Sequence, residues 1–343
     1  MSFATHVQLA TIVIACCHPV PAPGRTAEDD GRHSRTVVLT YQATARDIPP
    51  ETEILDLWIP VPQDDANQTI HRLTIDAPGA VSLSRESTFG NLMLHLRRHR
   101  PEPEVKVTLT IVATRDENRG GADPPGPDER SRLLAPEPLV PLDGPIRRRA
   151  LAATEGIEDQ ADRARALYDA VLDAMTYDKS GSGWGRGDAR FACEVGRGNC
   201  TDFHALLIGM ARASGIPAQF AIGFSLPPET REGTISGYHC WAELYVDGVG
   251  SVPVDASEAD KNPSRREYFF GNHDPHRLEL SRGRNLTLAP PQHGPPLNFF
   301  VNPYVELDGR PFPNIDLDVT FRDAQPDEAP AIGPRQDSPG NDP

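Results

Sequence analysis

The sequence predicts an α+β protein in which a small β-sandwich precedes a block of helices packed on an antiparallel sheet. Three observations carry this expectation. Between residues 35 and 115, short β-branched or alternating runs recur at 36–43, 53–59, 70–75, 92–96 and 105–112. From 145 to 214 the apolar spacing becomes helical. Beyond 239, an Asp247-Gly248 pair between two apolar runs marks a β-hairpin.

Taken in chain order, residues 1–17 hold an apolar run from Leu9 to Cys16 that reads as the core of an export signal. Within it, Val13-Ile14-Ala15-Cys16 resembles a bacterial lipobox, with Cys16 as the lipid-anchored residue, although no Lys or Arg precedes it. Residues 18–34 are polar and proline-rich and are expected to be disordered, as is the tail at 323–343. The 35–115 block carries no catalytic constellation, so a structural or substrate-orienting role is expected for it. Gly-Gly and Pro-Pro-Gly-Pro mark 116–140 as an exposed linker. The block at 141–290 opens with helices. Pro145 suits a first helical position, and Ala164, Leu167, Tyr168, Val171, Leu172 and Met175 form one apolar face. At 291–322, two strands joined through Asp308-Gly309 are expected to return to the first block.

The chemistry centres on Cys200. Asn199 is a suitable N-cap, and Asp202 stands three residues on as in a capping box. Phe203, Leu206, Leu207, Met210 and Ala211 define one buried face, and Gly215 with Pro217 stops the helix near Ser214. Cys200 therefore lies in the first turn, where free N–H groups and the positive dipole end favour thiolate over thiol. A thiol nucleophile also needs a base, and the base needs an orienting group. The hairpin supplies both types: His239 begins its first strand and Asp255 ends its second, so antiparallel pairing is expected to bring them side by side.

These motifs, Gly198-Asn199-Cys200-Thr201-Asp202-Phe203, Arg212-Ala213-Ser214-Gly215-Ile216-Pro217-Ala218, His239-Cys240-Trp241-Ala242-Glu243 and Val252-Pro253-Val254-Asp255, resemble the core of transglutaminase-like proteins. The resemblance covers about 141–290. It implies a papain-like transglutaminase core, a helical layer on an antiparallel sheet, with a Cys200-His239-Asp255 triad. Gly250-Ser251 stands where the family commonly has Gly-Trp, so a looser hairpin is expected. For the oxyanion, one donor is expected from the Cys200 N–H. Trp184 indole and Tyr177 hydroxyl are equal candidates for the second.

Other chemistries are less well supported. Cys193, Cys200, His204, His239 and Cys240 include no C-x-x-C or H-x-x-x-H pair, so no metal site is expected, and no cofactor is implied. His204 lies one turn below Cys200 and is expected to donate to a nearby carbonyl rather than to act in the site. Cys240 should face away from His239 and Trp241 into the core, with Cys193 as a partner under oxidising conditions. A net charge of −15 and the lack of a basic run argue against nucleic acid. No 18-residue apolar stretch spans a bilayer. The expected reaction is acyl-enzyme formation at Cys200 on a peptide or protein amide, with water as the acceptor: a cysteine peptidase or amidase. The alternatives are an amine acceptor, as in protein-glutamine gamma-glutamyltransferases, and a non-catalytic envelope binding or scaffold protein. The expected location is the periplasm or cell envelope, and otherwise the cytoplasm.

Overall fold

The short alternating runs pair into two sheets whose apolar faces meet. The computed structural model describes residues 10–15 and 33–328, and within them one sheet runs Ala10–Ala15, Gln68–Ala77, Val105–Asp116, Ser34–Ala45, Ile315–Asp323 and Glu232–Thr234. The second runs Arg310–Pro311, Tyr304–Leu307, Ile54–Pro60, Leu92–His99 and Val81–Arg85, and the pairs in both sheets are antiparallel. Leu39, Tyr41 and Ala43 of the first sheet share a core with Leu55, Leu57, Leu94 and Leu96 of the second. That is the β-sandwich expected from the period-two pattern.

The sandwich is not closed by its own stretch of chain. Ile315–Asp323 pairs with 37–45 over nine residues, and Glu232–Thr234, from the middle of the following block, extends the same edge. Asp308-Gly309, both at positive φ, turns Tyr304–Leu307 into the short Arg310–Pro311 strand, while Ile315–Asp323 crosses to the other sheet. The two C-terminal strands were expected to be joined by that turn, so the connection differs. The apolar run read as an export signal contributes the edge strand Ala10–Ala15, paired with 72–77. Cys16 and most of the two end segments expected to be disordered lie outside the described residues.

The second block packs helices on a four-stranded antiparallel sheet ordered Gly250–Val254, His239–Val246, Ala218–Ser225, Arg277–Arg282. At its centre is the Cys200–Ala213 helix, buried on every side from Cys200 to Arg212. Gly209 lets the Gly144–Ala153 helix approach closely, since a Cβ there would stand 3.3 Å from Ile146 Cγ2. Gly215, at φ +78°, closes the helix, with Ile216 N–H donating to Ala211 O at 2.9 Å. The Gln160–Ala174 helix is capped by Asp159 and contributes Leu167, Tyr168 and Val171 to the core.

The stretch expected to be an exposed linker is a strap. Gly121 N–H donates to Ser251 O at 2.8 Å, and Ser251 N–H to Ala122 O at 2.9 Å, so this segment runs along the free edge of Gly250–Val254. A Cβ on Gly120 would stand 2.4 Å from Ser251 O, so only glycine allows this approach. Ser251 itself is buried and its Oγ accepts from Ala122 N–H. The missing tryptophan therefore leaves the hairpin covered by backbone rather than loose. The strap continues into the Pro127–Leu133 helix, which buries Leu133.

Candidate active site

Cys200 is the first residue of its helix, and its surroundings follow from the capping residues. Asn199 Oδ1 accepts from Thr201 N–H at 3.0 Å, and Asp202 Oδ2 accepts from Asn199 N–H at 3.0 Å, completing the capping box. Asp202 does more than cap: Gly185 N–H donates to its Oδ2 at 2.7 Å and Gly187 N–H to its Oδ1 at 3.0 Å. One carboxylate thus pins the 185–187 loop to the helix start. At Gly198 a Cβ would lie 2.5 Å from Asp202 Cβ. Gly198→Ala is therefore expected to cost about 1–3 kcal/mol by overpacking, read as a lower urea midpoint; an unchanged midpoint would show that the cap gives way freely.

The structure brings the three expected residues together. His239 Nε2–H donates to Asp255 Oδ2 at 2.7 Å, and Cys200 and the His239 ring are close enough to shift each other's proton affinity, the thiol downward and the imidazole upward. Asp255 is an acceptor on Nε2, which leaves Nδ1 for the sulfur. Pairing within the hairpin ends at Ala242 opposite Val254. Continued by one step, that register sets Asp255 opposite Trp241, so Asp255 is a diagonal neighbour of His239 on the same face rather than its direct partner. Asp255 is fully buried; its Oδ1 caps the Ala256–Lys261 helix by accepting Glu258 N–H at 3.0 Å.

A helix-borne thiol, an imidazole at the start of a strand and a carboxylate at a hairpin end, joined in this order, coincide with a family match. Residues 147–256 match the profile of the transglutaminase-like superfamily. That segment is a transglutaminase-like domain. The chain is 28% identical over 186 residues to an uncharacterized protein of Haemophilus influenzae, covering 45% of this chain and 50% of that one. It thus spans half the length of that relative. In three dimensions it resembles a proposed cysteine protease of Cytophaga hutchinsonii with a TM-score of 0.55 and 14% identity, over 85% of this chain and 92% of that one. The shared feature is the fold, helices on an antiparallel sheet with a sheet-rich N-terminal region.

Charge in the transglutaminase-like site is arranged as an ion pair. A hydrogen bond from Cys240, opposed by burial and aided by the His239 ring, holds the Cys200 thiol well below its ordinary value. Burial alone would depress His239, but the Asp255 charge and hydrogen bond, with Cys200, push it up to about 10. Burial likewise works against ionised Asp255, yet His239 and Arg277 hold it well below the usual carboxylate range. These directions describe a thiolate–imidazolium pair at neutral pH, with Asp255 ionised behind it.

The two oxyanion candidates are placed differently. Trp184 Nε1–H donates to Gly181 O at 3.2 Å, within its own loop. Tyr177 packs on Phe203 at 6.2 Å between ring centroids, and its hydroxyl is pushed up by burial and then by the nearby Cys200 charge. The Tyr177 hydroxyl thus feels the Cys200 charge, whereas the Trp184 N–H is already used within its own loop. Lys261 Nζ stands 4.5 Å and Lys179 Nζ 5.7 Å from the Tyr177 ring centre, and Lys261 is paired with Glu258. Tyr238, not singled out from sequence, receives Asn199 Nδ2–H at 3.3 Å and donates to Gly185 O at 3.3 Å. His204 Nδ1–H donates to Cys200 O at 2.8 Å, as expected, while its Nε2 lies 3.7 Å from Asp255 Oδ1. Burial keeps His204 below its ordinary value, so it stays neutral.

Sequence reasoning missed Arg277. Its guanidinium, only 2% exposed, donates from Nη1 to Asp255 Oδ2 at 3.0 Å, lies 3.4 Å from Asp274 and stands 5.0 Å over the Trp241 ring. Cys240 lies in the core as expected, completely buried with its thiol 3.6 Å from His204 Nδ1, and Cys193, offered as a partner only under oxidising conditions, is free, as are Cys200 and Cys240. Among the described residues no cluster of His, Cys, Asp or Glu is arranged to hold a metal. Replacing Arg277 with methionine keeps the packing on Trp241 and removes a charge that holds Asp255 down. The acid limb of any activity profile should therefore move to higher pH; an unmoved limb would mean that Arg277 acts only in packing.

Proposed function

We propose that this protein is a cysteine peptidase or amidase that forms an acyl-enzyme at Cys200 on a peptide or protein amide and releases it to water. The supporting observation is the buried chain of contacts from Cys200 through His239 to Asp255, with Arg277 behind it. The Cys200 thiolate attacks the carbonyl carbon, and the tetrahedral oxyanion is met by the Cys200 N–H and the Tyr177 hydroxyl. Protonated His239 gives its Nδ1 proton to the leaving amine. A water then enters, loses a proton to His239 and attacks the thioester, restoring the thiolate. Asp255 holds the ring so that Nδ1 faces sulfur throughout.

Water is favoured over an amine acceptor by Lys179 on the Tyr177 ring, a like charge for a lysine-type amine, while Lys261 there is neutralised by Glu258. The test is incubation with glutamine-containing peptides and a fluorescent primary amine. New peptide termini without amine incorporation support this reading, and amine incorporation at a comparable rate overturns it. The burial of Cys200, at 2% exposure, also suits a protein that keeps the fold only to bind. Thiolate-dependent labelling without turnover of any peptide would favour that second reading. The apolar run ending at Cys16 supports reading the activity as one of the periplasm or cell envelope. A mature protein that still carries Ala10–Ala15 in its sheet would point to the cytoplasm.

A further inference from the structure

The proposed mechanism gives no task to Cys240, although this residue directly follows the base and its thiol lies beside the helix turn that carries the nucleophile. Cys240 is completely buried and free, its sulfur stands 3.6 Å from the His204 Nδ1 that also meets the Cys200 carbonyl at 2.8 Å, and the other described thiol, Cys193, belongs to a different helix. The strand explains the placement. His239 and Cys240 point to opposite faces of one strand, and the Cys240 face lies on the Cys200 helix, where its sulfur reaches 3.6 Å from His204 Nδ1. The helix and the strand thus offer two sulfurs to each other inside a dry site.

We infer that Cys240 is the resolving thiol of Cys200, so that oxidation of the nucleophile by a peroxide is captured as a reversible Cys200–Cys240 disulfide. The inference rests on the reading of Cys200 as an activated thiolate. Hydrogen peroxide is smaller than the amide substrates and reaches the same sulfur. The Cys200 thiolate attacks the peroxide O–O bond, forming an S–O bond and oxidising sulfur to the sulfenic acid, and the hydroxide released takes the proton of the His239 imidazolium and leaves as water. Cys240 then attacks that sulfur: the S–S bond forms, the S–O bond breaks, and the departing hydroxide takes up the Cys240 proton as water. Two thiols are oxidised by two electrons and the peroxide is reduced to two waters. Loss of the Cys200 negative charge in the first step removes a group that keeps the Cys240 proton in place. A dithiol reductant reverses the reaction.

The test uses the whole reduced protein with hydrogen peroxide, read by intact mass, peptide mapping and iodoacetamide labelling. The expected product has lost two hydrogens, contains a linked Cys200–Cys240 peptide, does not label, and regains labelling with dithiothreitol. Cys193→Ser should behave identically. Cys240→Ser, checked for an unchanged unfolding midpoint, should instead gain oxygen at Cys200 and fail to recover. Wild-type protein that gains oxygen without the linked peptide, or that links Cys240 to Cys193, overturns the inference. Labelling of the reduced protein separates the two readings. If reduced Cys200 reacts no faster than a free thiol, the nucleophile assignment has failed; if it reacts fast but no linked peptide forms, only the disulfide has failed.

Discussion

Replacing Asp255 with alanine is expected to destabilise the protein by about 3–5 kcal/mol, the range for removing one partner of a buried ion pair. Four groups lose their acceptor at once: His239 Nε2, Arg277 Nη1, the Ser257 hydroxyl and Glu258 N–H. The Arg277 guanidinium is left in a closed site with Asp274 alone. Asp255→Asn keeps the volume and the helix cap, so it should lose less stability, while turnover falls by about 10⁴-fold, as when a triad carboxylate is neutralised. Urea unfolding and a peptide-cleavage assay read the two effects. Equal stability of wild type and Asp255→Ala would contradict the buried-pair account.

The same pair sets the pH dependence of stability. Asp255 is held below its ordinary 3.8 in the folded state, so its contribution is present above that value and is lost as pH falls through the folded value. His239 is held up at about 10 against an ordinary 6.5, so its contribution is complete below 6.5 and is lost as pH rises toward about 10. Both are complete only between the two ordinary values. Asp255→Ala should flatten the profile on both sides of that window, and a wild-type profile without either limb would count against the pairing.

Cys200→Ala separates chemistry from folding. The alanine fills much of the same space, leaves the Asn199 and Asp202 cap untouched and removes no buried charge partner from Asp255. Stability should stay within about 1 kcal/mol of wild type. Turnover should fall by about 10⁴-fold or more, with no covalent adduct from an activated ester. Activity within tenfold of wild type would place the nucleophile elsewhere.

The helix start was legible because its determinants are local. Asn199, Asp202 and the 3.6-residue apolar spacing act within one turn, and the structure shows the capping box they predict. The hairpin was legible from Asp247-Gly248, although its register was not. Val246 pairs with Gly250, so the turn takes one more residue than the Asp-Gly pair, and Asp255 moves diagonal to His239. Arg277 escaped notice for a physical reason. In Arg277–Arg282, leucine alternates with polar residues, the mark of a strand with one wet face, yet both faces are buried because the sandwich covers the second. Gln68 from the sandwich, for example, donates to Glu279 O and accepts from Glu279 N–H. The return of Ile315–Asp323 to the first block was expected from its alternation, but its partner was not, since nothing in the 37–45 run names a strand nearly 280 residues away.

The claim that ties these features together is that Cys200 is held as a thiolate at neutral pH by Cys240 and His239 together, with His239 supplying the opposite charge. The most direct measurement is the rate of Cys200 alkylation by iodoacetamide as a function of pH, in wild type and in His239→Ala. Wild type should react with a midpoint far below the ordinary thiol value of 9.0, and His239→Ala with a midpoint moved up toward that value. A wild-type midpoint at the ordinary value, or one unmoved by removal of His239, would contradict the account.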